Sequence, residues 1–91
     1  MSRLDGKVVI VTGSTQGVGE AVVRHAAESG AAGVVLCGRQ EEKGTRIANE
    51  IEAAGCAAVY VPADLSIVDD CRRVVQSCNE RFGRVDGLFN A

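Results

Sequence analysis

The run Thr12-Gly13-Ser14-Thr15-Gln16-Gly17-Val18-Gly19 has the composition of a phosphate cradle. It follows the apolar stretch Val8-Val9-Ile10-Val11 and precedes an amphipathic segment that begins at Val18. Strand, glycine-rich turn and helix, in that order, present a helix N-terminus to an anion. The first N–H groups of a helix have no partner inside it and carry partial positive charge. The glycines divide the work: Gly13 takes the sharp turn off the strand, Gly17 lets a pyrophosphate approach the backbone, and Gly19 lets the helix pack close on the strand. Gly13, Ser14, Thr15, Gln16, Gly17, Val18 and Gly19 are therefore the expected phosphate-binding set. Thr12 is expected to buttress the turn through its hydroxyl.

A second position bears on which dinucleotide would fit. Sites of this kind usually carry Asp or Glu about 20 residues beyond the glycines, bonded to the adenine-ribose 2′-OH. Gly38 stands there, and Arg39 follows it. The acid that would repel a 2′-phosphate is missing, and a guanidinium that can fork onto one is present. This favours NADP, with NAD possible. The other reading of Arg39 is neutralisation of Glu41 or Glu42, although two acids at that point more naturally favour a helix N-terminus.

Other chemistry-bearing residues point nowhere in particular. His25 lies mid-helix beside Arg24, without a Ser or Asp at a suggestive spacing. Cys37, Cys56, Cys71 and Cys78 form no Cys-x-x-Cys pair, so no metal site is expected. They read as buried free thiols of a cytoplasmic protein, the alternative being a disulfide, for which the sequence gives no positive sign. Tyr60 has Asp64, not Lys, four residues on, and is expected to be a sheet residue.

Positioning these groups needs an alternating set of elements. Strands are expected at 7–12, 33–38, 57–61 (stopped by Pro62) and 85–90, with helices at 17–29, 41–54 and 67–82. Val18, Ala21, Val22 and Ala26 should form the inner stripe of the first helix. Gly44, Ile47, Ala48, Ile51 and Ala54 should line the second, with Glu42 and Arg46 outside. Cys71, Val74, Val75, Cys78 and Phe82 should line the third. Ser66 is its expected N-cap with Asp69 at the capping-box position, and Asp69 with Arg73 is a candidate i,i+4 pair. The rhythm predicts a parallel sheet covered on both faces, with ligands at the carboxyl ends of its strands.

Composition agrees. The chain has 91 residues, 46% of them hydrophobic, with no Trp, one Tyr and two Phe, so one small domain with an aliphatic core is expected. A formal net charge of −2 argues against nucleic acid as a partner. No apolar run is long enough to span a bilayer, and the first residues lack the organisation of a signal peptide.

Together these features resemble the N-terminal part of a classical short-chain dehydrogenase/reductase. The resemblance rests on Thr12-Gly13-x-x-x-Gly17-x-Gly19, Gly38-Arg39, Asp64-Leu65 and Asp86-Gly87-Leu88-Phe89-Asn90-Ala91, in register over nearly the whole chain. Ala91 stands where the family usually has a second Asn. The resemblance implies a Rossmann-type sheet in strand order 3-2-1-4, with the first two helices on one face and the third on the other. It implies that Asp64 accepts from the adenine amino group with the Leu65 backbone beside it; the alternative for Asp64 is a cap near the third helix. It implies that Asn90 meets the adenine-ribose side of the cofactor, the alternative being a strand-end amide that satisfies nearby backbone.

The family's Ser and Tyr-x-x-x-Lys lie downstream of these motifs. Residues 1–91 are thus expected to be the adenosine-binding half of the domain, without catalytic residues and inactive alone. The parent is expected to be a homo-oligomeric oxidoreductase that exchanges hydride with a carbonyl or alcohol carbon of a small molecule. A non-enzymatic dinucleotide sensor is the rival reading, and a nucleotide-sugar epimerase, with tighter glycine spacing, a more distant one.

Overall fold

Runs of β-branched residues set the centre of the molecule. In the computed structural model, which describes residues 4–13 and 17–90, the elements are β1 (Val8–Thr12), α1 (Gly17–Glu28), β2 (Gly33–Gly38), α2 (Glu41–Ala53), β3 (Ala57–Pro62), α3 (Val68–Phe82) and β4 (Gly87–Asn90). All strand pairs are parallel, in the order β3-β2-β1-β4. Register places Ile10 opposite both Val35 and Leu88, and Leu36 opposite Tyr60. Val34, Val35, Leu36 and Cys37 are all fully buried, as expected of a central parallel strand covered on both faces.

Alternation along the strands builds two cores. Val11, Val34, Leu36 and Ala58 pack with Val23 and Ala26 of α1 and Ile47, Ala48 and Ile51 of α2. Val8, Ile10, Val35, Cys37 and Val61 pack with Val74 and Cys78 of α3, and Phe82 closes that side. Helices α1 and α2 therefore share one face and α3 covers the other, in the expected Rossmann arrangement.

Several local expectations are corrected. The inner line of α1 is Gly19, Val23 and Ala26, with Val22 half-buried, whereas Val18 is 68% exposed and Ala21 is exposed. Burial of Gly19 at the first turn sets the rotation of the helix, so the i, i+4, i+7 line from Gly19 faces the sheet. In α3 the buried line is narrow, Val74 and Cys78, while Cys71 and Phe82 are half-buried and Val75 is exposed. Ala54 is the C-cap of α2 and faces solvent. Glu42 and Arg46 are exposed, as expected.

Ser66 is not the N-cap of α3. Ile67 holds that place in extended conformation, and Ser66 binds back to Asp64 instead. Asp69 pairs with Arg72, at 3.7 Å, and Arg73 pairs with Asp70, at 3.5 Å. Arg73 leans toward β3, where it also donates to the Pro62 carbonyl, and this brings it to Asp70. Pro62 closes β3 as its last residue, a place where its missing N–H costs little.

The strand β4 is held to β1 by a side chain as well as by backbone. The Asp86 N–H donates to the Val8 carbonyl at 2.9 Å, and the Asp86 carboxylate accepts from the Val8 N–H at 2.8 Å. The carboxylate therefore takes the place of a ladder carbonyl, and β4 proper begins at Gly87. Arg84 sits on the other carboxylate oxygen at 2.6 Å. Arg84 first, and then the Val8 N–H, hold the Asp86 carboxyl below the usual carboxylate range.

All four cysteines are free thiols, three of them buried and Cys71 half-buried. Burial, with a smaller push from Cys71, raises the Cys37 thiol to about 11. Among the described residues no helix is long and apolar enough to cross a membrane.

Two predictions follow from this packing. A Cβ at Gly33 would stand 2.3 Å from the Phe82 ring. Gly33→Ala should destabilise the fold by about 1–3 kcal/mol, and Phe82→Leu in the same chain should recover part of the loss. Denaturant unfolding measures both, and a neutral Gly33→Ala would contradict the packing. Asp86 gives the second. Because its folded pKa is lowered, its contribution to stability is whole above the ordinary aspartate range. It is lost as pH falls through the lower folded value. Asp86→Asn keeps an acceptor for Val8 and removes the charge, so its urea midpoint should decline less steeply than the parent's between about pH 5 and pH 2. Parallel declines would contradict the linkage.

Candidate functional site

Parallel pairing brings the ends of β1, β2, β3 and β4 to one edge of the sheet. A cleft of about 450 Å³ opens there. Its walls include Gly13, Arg39, Asp64, Leu65 and Asn90, five of the residues expected from sequence, together with Thr12 and Gly38. Gln40, Ala63 and Ser66 complete it. Gln40 and Ala63 carry no motif and adjoin residues that do, whereas Ser66, expected as an N-cap, lines the cleft instead. A larger depression of about 620 Å³ runs along α3 past Cys71, Val75 and Asn79. Among the described residues its walls come from that helix alone, whereas the smaller cleft gathers groups from every strand end.

The glycine turn contributes from the β1 side. Gly13 leaves the strand at φ 62, a left-handed conformation suited to glycine, and its N–H donates to the Cys37 carbonyl at 3.1 Å. Ser14, Thr15 and Gln16 lie outside the described residues. Gly17, Val18 and Gly19 form the first turn of α1, with Gly17 and Val18 exposed and Gly19 buried.

The Thr12 hydroxyl reaches across the sheet. It donates to Asn90 Oδ1 at 2.7 Å and lies 3.4 Å from the Phe89 carbonyl. It thus fastens β1 to β4 at the cleft floor. With its oxygen occupied, Asn90 has its amide N–H groups to offer as donors.

Asp64 follows β3 in a tight local turn. Its Oδ1 accepts from the Ser66 N–H at 3.0 Å and from the Ser66 hydroxyl at 2.7 Å. Its own N–H donates to Asp70 Oδ2 at 2.8 Å, and its carbonyl accepts from the Ile67 N–H at 2.9 Å. Both side-chain bonds fall on one oxygen. The Ser66 hydroxyl and then the Ser66 N–H lower the carboxyl from its ordinary pKa, and the charge of Arg39 adds a smaller pull in the same direction. Asp64 is therefore ionised, and its turn is tied to the start of α3 through Ile67 and Asp70.

Arg39 stands exposed between β2 and α2. Among the described residues no ion pair joins it to Glu41 or Glu42. Its charge is felt instead at Asp64, on the same cleft. His25 is exposed on α1, away from these strand ends. Among the described residues no cluster of His, Cys, Asp and Glu has the arrangement of a metal site.

The arrangement is a shallow polar cleft with a glycine turn, a cation, an ionised carboxylate and an amide donor along one sheet edge. It has hydrogen-bonding groups for a phosphate, a base and a sugar.

Known proteins resemble this chain along nearly its whole length. The 3beta-hydroxysteroid dehydrogenase of Mediterraneibacter gnavus is 37% identical over 90 residues, 99% of this chain and 32% of that protein. The A-factor type gamma-butyrolactone 1′-reductase of Streptomyces virginiae is 39% identical over 87 residues, 96% of this chain and 34% of that protein. The chain spans about a third of the length of the curated relatives it matches.

Among solved structures, a short chain dehydrogenase/reductase from Burkholderia phymatum in complex with NAD superposes with a TM-score of 0.90 at 31% identity, over 97% of this chain and 31% of that one. L-Sorbose reductase from Gluconobacter frateurii, complexed with NADPH and L-sorbose, gives 0.88 at 31% identity, over 93% of this chain and 32% of that one. The family profile described as short chain dehydrogenase runs through residues 7–91, from the first strand past the last, and the chain belongs to that family.

Proposed function

We propose that residues 1–91 are the adenosine-binding, N-terminal half of a Rossmann domain in an NADP-preferring oxidoreductase. The observation that carries the preference is Arg39 on the cleft wall beside a residue, Gly38, that has no side chain. A 2′-phosphate there would meet a cation and no acid from β2. Both NAD and NADPH occur in the related solved structures, so a nicotinamide dinucleotide is the common expectation.

The residues take separate parts in this reading. Gly13, Ser14, Thr15, Gln16, Gly17, Val18 and Gly19 cradle the pyrophosphate through backbone N–H groups. Arg39 takes the 2′-phosphate. Asp64 accepts from the adenine amino group, with the Leu65 backbone beside the ring. Asn90 donates toward the ribose. The cofactor supplies or removes hydride at a carbonyl or alcohol carbon of a small-molecule substrate. None of these residues is cast as a proton donor, and the 91 residues alone are expected to transfer no hydride. A cytoplasmic, homo-oligomeric protein that binds neither nucleic acid nor membrane fits the reading.

Arg39→Ala should weaken NADP by about 1.5–3 kcal/mol, roughly 10- to 150-fold in Kd, and leave NAD nearly unchanged. Titration calorimetry at fixed salt measures both, and equal losses would reduce Arg39 to a surface charge. Asp64→Ala removes a base contact common to both dinucleotides and should weaken the two alike, by about 0.5–1.5 kcal/mol. A loss confined to NADP would contradict the adenine assignment.

A further inference from the structure

Arg39 lies in a two-residue connection between β2 and α2 that has little of its own to hold it. Gly38 before it has no side chain, and Gln40 after it is an N-cap that makes no side-chain bond to the helix. An exposed arginine on such a connection would have to be ordered each time it met a phosphate. The structure supplies an anchor from the neighbouring strand. The Tyr60 hydroxyl donates to the Gly38 carbonyl at 2.8 Å, and the Ala63 N–H fills the same oxygen's second position, also at 2.8 Å.

The Tyr60 ring reaches the far end of the connection as well. It packs against Gly44, where a Cβ would stand 2.1 Å from the ring's Cε1. Gly44 is a helix-weakening residue inside α2. Its N–H bonds the Gln40 carbonyl at 2.8 Å, so it belongs to the first turn after the connection. One side chain thus touches the residue before Arg39 by its hydroxyl and the turn after it by its ring. Burial, the main cause, raises the phenol's pKa, so it remains a donor at neutral pH.

We infer that Tyr60 is a positioning residue for 2′-phosphate selectivity: by fixing the Gly38-Arg39-Gln40 connection from both ends, it holds the Arg39 backbone where the guanidinium meets the phosphate. The inference rests on the reading of Arg39 above and adds a residue in a different strand, which touches no cofactor itself.

Binding of NADP and of NAD to the protein and to two variants tests it. Tyr60→Phe keeps the ring and the Ala63 bond to Gly38, so the fold is expected to hold, which a thermal midpoint checks. Its NADP affinity should fall about 3- to 10-fold while NAD stays unchanged, the size expected when one side chain must be ordered on binding. Gly44→Ala, which displaces the ring and leaves the hydroxyl in the chain, should shift the ratio the same way, and it stands as the test should Tyr60→Phe fail to fold. A folded variant that keeps the parent's NADP-to-NAD ratio, or loses both cofactors equally, would overturn the inference and leave Arg39 in place. A parent protein with no preference for NADP would overturn the reading of Arg39 and the inference with it.

Discussion

Everything at the cleft depends on four strands running the same way. A parallel ladder gives each strand a carboxyl end on the same edge, and the short connections from strand to helix line that edge. Such a sheet must be buried on both faces, which is why β2 is an unbroken run from Val34 to Cys37 with no polar side chain. The apolar run and the polar cleft are two results of one constraint. Where burial ends, at Gly38 and Asp64, glycine and polar residues begin.

The polar groups at that edge work in pairs across strands. Thr12 holds Asn90, and the Asp86 carboxylate holds the Val8 N–H, so β4 is fastened to β1 at both ends of a short ladder. Ser66 and Asp70 shape the turn around Asp64. Tyr60 and Ala63 share the Gly38 carbonyl and bind the end of β3 to the end of β2. Asn90 and Gly38 are thus set by partners one strand away, and Asp64 by neighbours in its own turn. A cleft whose walls are preset in this way asks less ordering of a ligand than loops alone would.

The sequence disclosed the strands, the helix count and the strand order because these follow from apolar rhythm and from motifs in register. It disclosed Gly13, Arg39, Asp64, Leu65 and Asn90 as neighbours because each ends a strand or follows one. For α1 it disclosed Gly19 and Ala26 on the inner side but added Val18 and Ala21, which are exposed, and missed Val23, because a count of apolar residues does not fix a helix's rotation. Nor did spacing find the turn at Asp64, since Ser-x-x-Asp matches a capping box and the Ser66 hydroxyl binds backward to the carboxylate. Tyr60 was legible as a sheet residue, but its bond to Gly38 spans 22 positions and depends on the β2–β3 register. Long-range polar contacts of this kind carry no local signature.

The central claim is that the strand-end cleft receives the adenosine half of a nicotinamide dinucleotide. The most direct measurement is an amide chemical-shift titration of the isotopically labelled protein with NADP. The account predicts saturable shifts at Gly13, Arg39, Asp64, Leu65 and Asn90, on four different strand ends, with little change along α3. Shifts centred on the α3 depression at Cys71, Val75 and Asn79, or none at the strand ends, would contradict it.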